Sequence, residues 1–325
     1  MNKKERIMAA IEGRKPDRVP FVFWQPDSAG TGHPEEDAER SFRFYEAWDS
    51  DAVIPVNERG YAGKDYAVPA VTRNGGVLYS TAPEEWLKLR PLSVNEGALF
   101  RALETVKRLL EKVGGAAPVL FRVMSPAAAL FDRAPQAAED LRRGFGKEVK
   151  AALDAVTETT CALVQRAVEL GADGIFLEAP MADYEEMTEK RYREYAMPYD
   201  LAVLAASAGW CNVVRGGRTD CLFPLLRKYP AQIFSWDSSQ SLPRPMEARL
   251  LTGKCIMTGI NRRSMEFGMK NEVERDLWRI LSETGGEGLI LSAGASVQPH
   301  RSMADFFQRS LQEIEEKAAA AEKDT

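Results

Sequence analysis

Chemistry in this sequence starts with acids that close apolar runs. Asp237 follows Ile233–Trp236, and Glu178 follows Gly174–Leu177. A partly desolvated acid at the end of a buried strand either has a raised pKa and delivers a proton, or stays ionised and holds an N–H group. Two such acids facing one cavity repel, which would leave one neutral near pH 7. Asp237 also reads as a cap for the next helix or as an arginine's partner. Arg215 and Arg218 lie in the turn Arg215–Asp220, and Arg122, Arg262, Arg263 and Arg301 fall near other strand ends. A guanidinium binds carboxylate or phosphate bidentately. Gathered at one rim of a chain with net charge −5, these arginines point to an anionic ligand, although any one alone also reads as a surface ion-pair member. Trp24 and Gln25 are placed to wall a pocket. Tyr184 reads as a hydrogen-bond donor or as packing, and His300, after Pro299, as a candidate base in an exposed loop. Cys221 opens a helix, where a thiol pKa can fall, but a small core residue is the better reading.

The stretch Cys211–Asp237 positions much of this set. Val213-Val214 make a strand and Gly216-Gly217 break it. Asp220 is placed to cap the run to Tyr229, and Ile233-Phe234 restart a strand. Further short apolar strands are expected near residues 21, 53, 120, 175, 256 and 290, with helices between nearly all of them. Residues 60–96 break the rhythm: Tyr61, Tyr66, Val71, Val77 and Tyr79 among Gly, Thr and Asn suggest a small antiparallel excursion. Eight βα units without a dividing linker predict an α/β fold, a (β/α)8 TIM barrel in one domain over 1–325, with ligands at the C-terminal edge. An open doubly wound sheet is the runner-up, but it lacks a Gly-rich dinucleotide fingerprint.

Composition narrows the function. An apolar share of 45% and a charged share of 28% are ordinary for a soluble globular chain, and the acidic balance argues against nucleic acid. No window is long and apolar enough to span a membrane, and no signal peptide is evident. Four scattered cysteines fit reduced thiols in a cytoplasm. Two histidines limit any metal or imidazole chemistry.

Several segments resemble the uroporphyrinogen decarboxylase superfamily, including its cobalamin-linked methyltransferase branch. They are the opening KKERIMAAIEGRKPDRVPF, ADGIFLEAP with EMTEKRYREYAMPYD, QIFSWD, GKCIMTGIN, and LILSAGASVQPHRSMADF. The likeness covers almost the full length and implies the barrel. It also implies an amide contact from Asn261, which stands where the family has an Asn-bearing turn. The departures are informative. Where the zinc-dependent members carry a His-x-Cys-Gly turn, this chain has Val214-Arg215-Gly216-Gly217, and Ala295 replaces the last ligand. Ala295 also lies where the decarboxylase branch carries a His. Cys211, Cys221 and His300 straddle the turn rather than face it, so no metal site is expected.

The expectation is therefore a zinc-independent methyltransferase-like enzyme. It would use Asp237 or Glu178 as general acid and arginines as an anion clamp, on a small anionic or methoxylated substrate. No cofactor would be bound tightly; the methyl acceptor would be a corrinoid on a partner protein, or tetrahydrofolate. A homodimer stays open. A lyase decarboxylating a polycarboxylate, and a non-catalytic binding protein on the same barrel, are the alternatives.

Overall fold

The structure is a computed structural model that describes residues 1–66, 71–73, 76–78 and 82–323. Strands β1 (Val71–Arg73) and β2 (Gly76–Leu78) pair antiparallel, forming the hairpin inside the expected excursion; Tyr79 lies outside the described residues. Six parallel strands follow in sequence order: β3 (Leu120–Met124), β4 (Gly174–Glu178), β5 (Val213–Arg215), β6 (Ile233–Ser235), β7 (Cys255–Gly259) and β8 (Leu289–Ser292).

The first two expected strands shrink to single parallel bridges at the sheet's two edges, Phe21 with Leu291 and Val53 with Val119. The Asp51 N–H donates to Phe21 O, linking those edge segments. Pro20 and Pro26 bracket the first segment and Pro55 ends the second, and proline has no N–H to extend a ladder. The result is an α/β fold whose six-stranded parallel sheet is carried toward a ring by two bridges.

Alternation along the strands sorts two apolar layers. Val22, Trp24, Leu120, Phe176, Val213, Ile233, Met257 and Ile290 form one buried cluster inside the curved sheet. Phe121, Ile175, Leu177, Val214, Phe234 and Ile256 face the surrounding helices. Ile7 and Ala10 of helix Lys3–Ile11 join the inner cluster, so this helix covers one end of it. Asn2 and Glu5 form its capping box.

Two helices differ from expectation. The run after Asp220 makes only one turn, Phe223–Leu226, without a side-chain cap, since Pro224 in its first turn leaves fewer N–H groups to cap. The segment 189–207 divides into Glu189–Tyr195 and Met197–Ala206, with Pro198 opening the second. Among the described residues no helix is long and apolar enough to cross a membrane.

Candidate active site

Strand periodicity decides which polar side chains turn inward. Because Leu120, Phe176, Val213 and Ile233 face the inner cluster, Arg122, Glu178, Arg215 and Ser235, each two residues later, face the same way. Register sets their levels: Met124 lies opposite Glu178, Glu178 opposite Arg215, and Arg215 opposite Ser235. Charged side chains thus line the C-terminal ends of β3 to β5, and the Ser235 hydroxyl continues the row on β6. Trp24 reaches under it, its ring centroid 4.7 Å from that of Phe176.

Arg122 is the centre of the row. Its Nε and Nη2 both lie 2.8 Å from Glu178 Oε2. Its Nη1 lies 2.5 Å from Asp27 Oδ1 and donates to Gln25 O at 3.1 Å. The Arg122 carbonyl accepts from Tyr61 Oη at 2.7 Å and from Asn57 Nδ2 at 3.2 Å. Arg122 and Glu178 are 5% and 7% exposed, so this is a buried, carboxylate-flanked guanidinium.

The two carboxylates differ in charge. Burial alone would raise Glu178, but Arg122 and Arg215 outweigh it and hold the group below the usual carboxylate range. Burial pushes Asp27 up to about 6 against the pull of Arg122, with Glu178 adding repulsion. Near neutral pH, Glu178 is ionised and Asp27 is the acid that holds or releases a proton. Burial also raises the Tyr61 phenol, which stays neutral.

These groups form the polar end of a cavity of about 540 Å³, a volume suited to a small-molecule ligand. Asp27, Tyr61, Arg122 and Glu178 line one part. Met124, Phe131, Met181 and Met187 supply apolar wall, and Arg59 and Arg191 stand among the exposed lining residues.

The other sequence candidates are placed as follows. Gln25 meets Arg122 through its carbonyl, and Trp24 is fully buried. Asp237 is buried outside the cavity lining. Its carboxylate accepts from Ser239 N at 3.1 Å, Ser239 Oγ at 2.5 Å and Gln240 Nε2 at 3.3 Å, a cap on its own turn. Arg215 donates through Nε to Gly294 O at 3.1 Å, and Gly294 packs against the backbone of Trp236 and Asp237. Arg215 and Asp237 therefore meet the same glycine turn.

Arg218 is exposed. Its N–H, with those of Thr219 and Asp220, points at Asp183 Oδ2 at 2.7, 2.9 and 3.3 Å. The turn holds an anion, and that anion is the chain's own Asp183, lowered in pKa by these donors against the effect of burial. Tyr184 is on the surface, donating to Glu189 at 2.8 Å. Asn261 caps helix Arg262–Glu266, accepting from Arg263 N at 2.9 Å. Arg262 pairs with Glu266 at 3.8 Å, and Arg263 and Arg301 are exposed. His300 is exposed and bonds Ser302 at 2.9 Å.

Sequence reasoning missed Asp27, Tyr61 as a site residue, Asp183 and Ser235. Asp27 had the one available signal, an acid in the polar loop after the first strand, but nothing local announces its burial.

Zinc does not fit the residues present. Cys211 and Cys255 sit in the inner apolar cluster and Cys221 in the layer that faces the helices, so the buried thiols do not share one face. Among the described residues no group of three or more His, Cys, Asp or Glu is gathered to hold a metal ion.

Comparison with known proteins agrees with the architecture. A methyltransferase from Methanosarcina mazei superposes with TM-score 0.79 at 16% identity, over 97% of this chain and 99% of that one. A B12-independent methionine synthase from Shewanella sp. W3-18-1 gives TM-score 0.60 at 14% identity, over 94% and 96%. Two relatives named methylcobamide:CoM methyltransferase MtbA, from Methanosarcina acetivorans and Methanosarcina mazei, are 29% and 28% identical over 226 residues. That match spans 62% of this chain and 66% of each relative. The sequence profile described as uroporphyrinogen decarboxylase (URO-D) matches residues 74–307, well over half of the chain. With the parallel sheet and the cavity at its C-terminal end in place, that match assigns the chain to the uroporphyrinogen decarboxylase (URO-D) family.

Proposed function

We propose that this chain is a methyltransferase-like enzyme that demethylates a small substrate in the cavity beside Arg122. The observation that carries the reading is the Asp27–Arg122–Glu178 row: an acid pushed up to about 6, held by a guanidinium that a second, ionised acid fixes in place. The likeness to methylcobamide:CoM methyltransferases supports methyl transfer as the reaction class.

When a methyl group leaves an oxygen or nitrogen, the bonding electron pair stays on that heteroatom, which then needs a proton. Asp27 is the group placed to give it, at the polar end of the cavity. Arg122 orients Asp27, and Glu178 keeps Arg122 from turning away. Met124, Phe131 and Met187 exclude water around the apolar body of the substrate. A corrinoid on a partner protein, or tetrahydrofolate, would supply the methyl acceptor. Asp237 holds its turn in this reading, and the proton comes from Asp27.

The test is methyl transfer from a panel of methoxylated and N-methylated compounds to free, chemically reduced cob(I)alamin or to tetrahydrofolate. Asp27→Asn is expected to lose at least about a hundredfold in kcat, the usual weight of a general acid, with its thermal midpoint little changed. Unaltered turnover in that variant sinks the role of Asp27. Absence of methyl transfer to either acceptor from any compound sinks the reading.

A further inference from the structure

Above Trp24, between Arg215 and Ser235, the inner face of the sheet carries donors that no acceptor meets. Arg215 is 7% exposed and bonds only Gly294 O, through Nε; its terminal nitrogens have no partner among the described residues. Ser235 Oγ and Trp24 Nε1 are both buried without a hydrogen-bond partner among the described residues. Ser235 is the register partner of Arg215 on the adjacent strand, and both side chains face inward, so they stand about 5 Å apart at the backbone. Trp24 lies on Phe176, one inward position below Glu178 on β4, and so forms the floor beneath this layer. Glu178 gives its ion pair to Arg122 rather than to Arg215.

Buried donors are nearly always satisfied, and a buried guanidinium keeps its charge. Two buried donors without an acceptor among the described residues, beside a guanidinium whose terminal nitrogens no protein group takes up, describe a receptor for an anion. Its shape and sign narrow the ligand further. The terminal nitrogens of one guanidinium match a planar carboxylate bidentately. The ionised Glu178 on the adjoining strand opposes a second negative charge, which disfavours phosphate dianions. We propose that Arg215, Ser235 and Trp24 form a carboxylate subsite at the C-terminal end of the inner face, next to Glu178, which lines the cavity beside Arg122. It rests on reading this end of the sheet as the substrate site, and it assigns the substrate one carboxylate held away from Asp27.

Calorimetric titration of the full chain with benzoate and its neutral isostere benzamide, at fixed ionic strength, tests this. Wild type is expected to bind benzoate at least tenfold more tightly than benzamide. Ser235→Ala should weaken benzoate about threefold to tenfold and leave benzamide unchanged. Arg215→Met should abolish the preference. If Arg215→Met does not fold, Ser235→Ala decides, because it removes only a hydroxyl that has no partner. Equal binding of the two probes to wild type overturns the proposal, as does unaltered benzoate affinity in the folded variants. Loss of the preference in Arg59→Ala with Arg215→Met unaffected also overturns it, moving the anion to the cavity lip. None of these readings uses methyl transfer. A protein that prefers benzoate through Arg215 yet transfers no methyl group keeps the subsite and loses only the enzymatic reading.

Discussion

Glu178 and Asp27 flank the same guanidinium, and single substitutions are expected to separate their roles. Glu178→Gln leaves Arg122 and Arg215 buried with one carboxylate between them, and breaking a buried pair from one side costs about 3–5 kcal/mol. Asp27→Asn keeps a polar group beside Arg122 and is expected to stay within about 1 kcal/mol of wild type by urea unfolding. A proton donor works in its protonated form, so kcat should be level below about pH 6 and fall tenfold per unit above it; a profile still level at pH 8 removes Asp27 from the step. Asp200 gives a second pH test, on stability. Its Oδ2 accepts from Tyr192 and Tyr229 at 2.8 and 2.9 Å, yet burial pushes it up to about 6. The folded state therefore favours the protonated acid. That contribution is complete below the unfolded value near 4 and is lost as pH rises through 6. Asp200→Asn should gain about 2–3 kcal/mol at pH 7.5 and almost nothing at pH 4; equal gains at both pH values would show that Asp200 does not titrate. Glu178 was legible in the sequence because strand alternation aims it. Asp27 was not, because its burial depends on Arg122, distant in the chain.

At the scale of elements, Cys211–Asp237 folds as its β-branched pairs and glycines require, strand, turn, short helix and strand. The content of the turn was hidden. Its three N–H groups converge on a carboxylate from the preceding loop, a tertiary contact that no local spacing encodes. The glycine turn after β8 was legible as a glycine, but not for its reason. Gly294 has φ +62°, and a Cβ there would overlap the Trp236 carbonyl. Gly253 has a similar φ, +65°, with nothing within 4 Å of that position. Alanine at Gly253 is expected to cost about 1 kcal/mol, for the left-handed backbone alone. Alanine at Gly294 adds overpacking of roughly 1–3 kcal/mol and shifts the acceptor of Arg215 Nε. Equal urea midpoints for the two variants would mean that the turn gives way without strain.

For the whole molecule, the question is what brings the two edges of a six-stranded sheet together when the bridging segments are so short. Asp51, fully buried, is placed to do it. Its carboxylate accepts from Arg6 Nη1 at 2.6 Å, Arg18 Nη1 at 2.7 Å and the Phe21 N–H at 2.9 Å, and its own N–H donates to Phe21 O. One side chain thus ties the helix Lys3–Ile11 and both bridging segments. The sequence showed apolar triplets near 21 and 53 but not this tie, because prolines shorten the ladders and hand the closure to a side chain. Asp51→Ala would remove the buried acceptor of two arginines, and because Arg6 keeps Asp17 and Arg18 reaches solvent the expected cost is about 1–3 kcal/mol. The loss should also be local in the ring. Val22 N donates to Leu291 O at 2.9 Å and Val53 N to Pro118 O at 2.8 Å, so these amides should lose hydrogen-exchange protection, while those of Ile175 and Val214 in central strands keep theirs. Uniform loss across all four would mean that the ring opens only with global unfolding. Unchanged protection at Val22 and Val53 would show that backbone pairing alone closes it and that Asp51 merely neutralises Arg6 and Arg18.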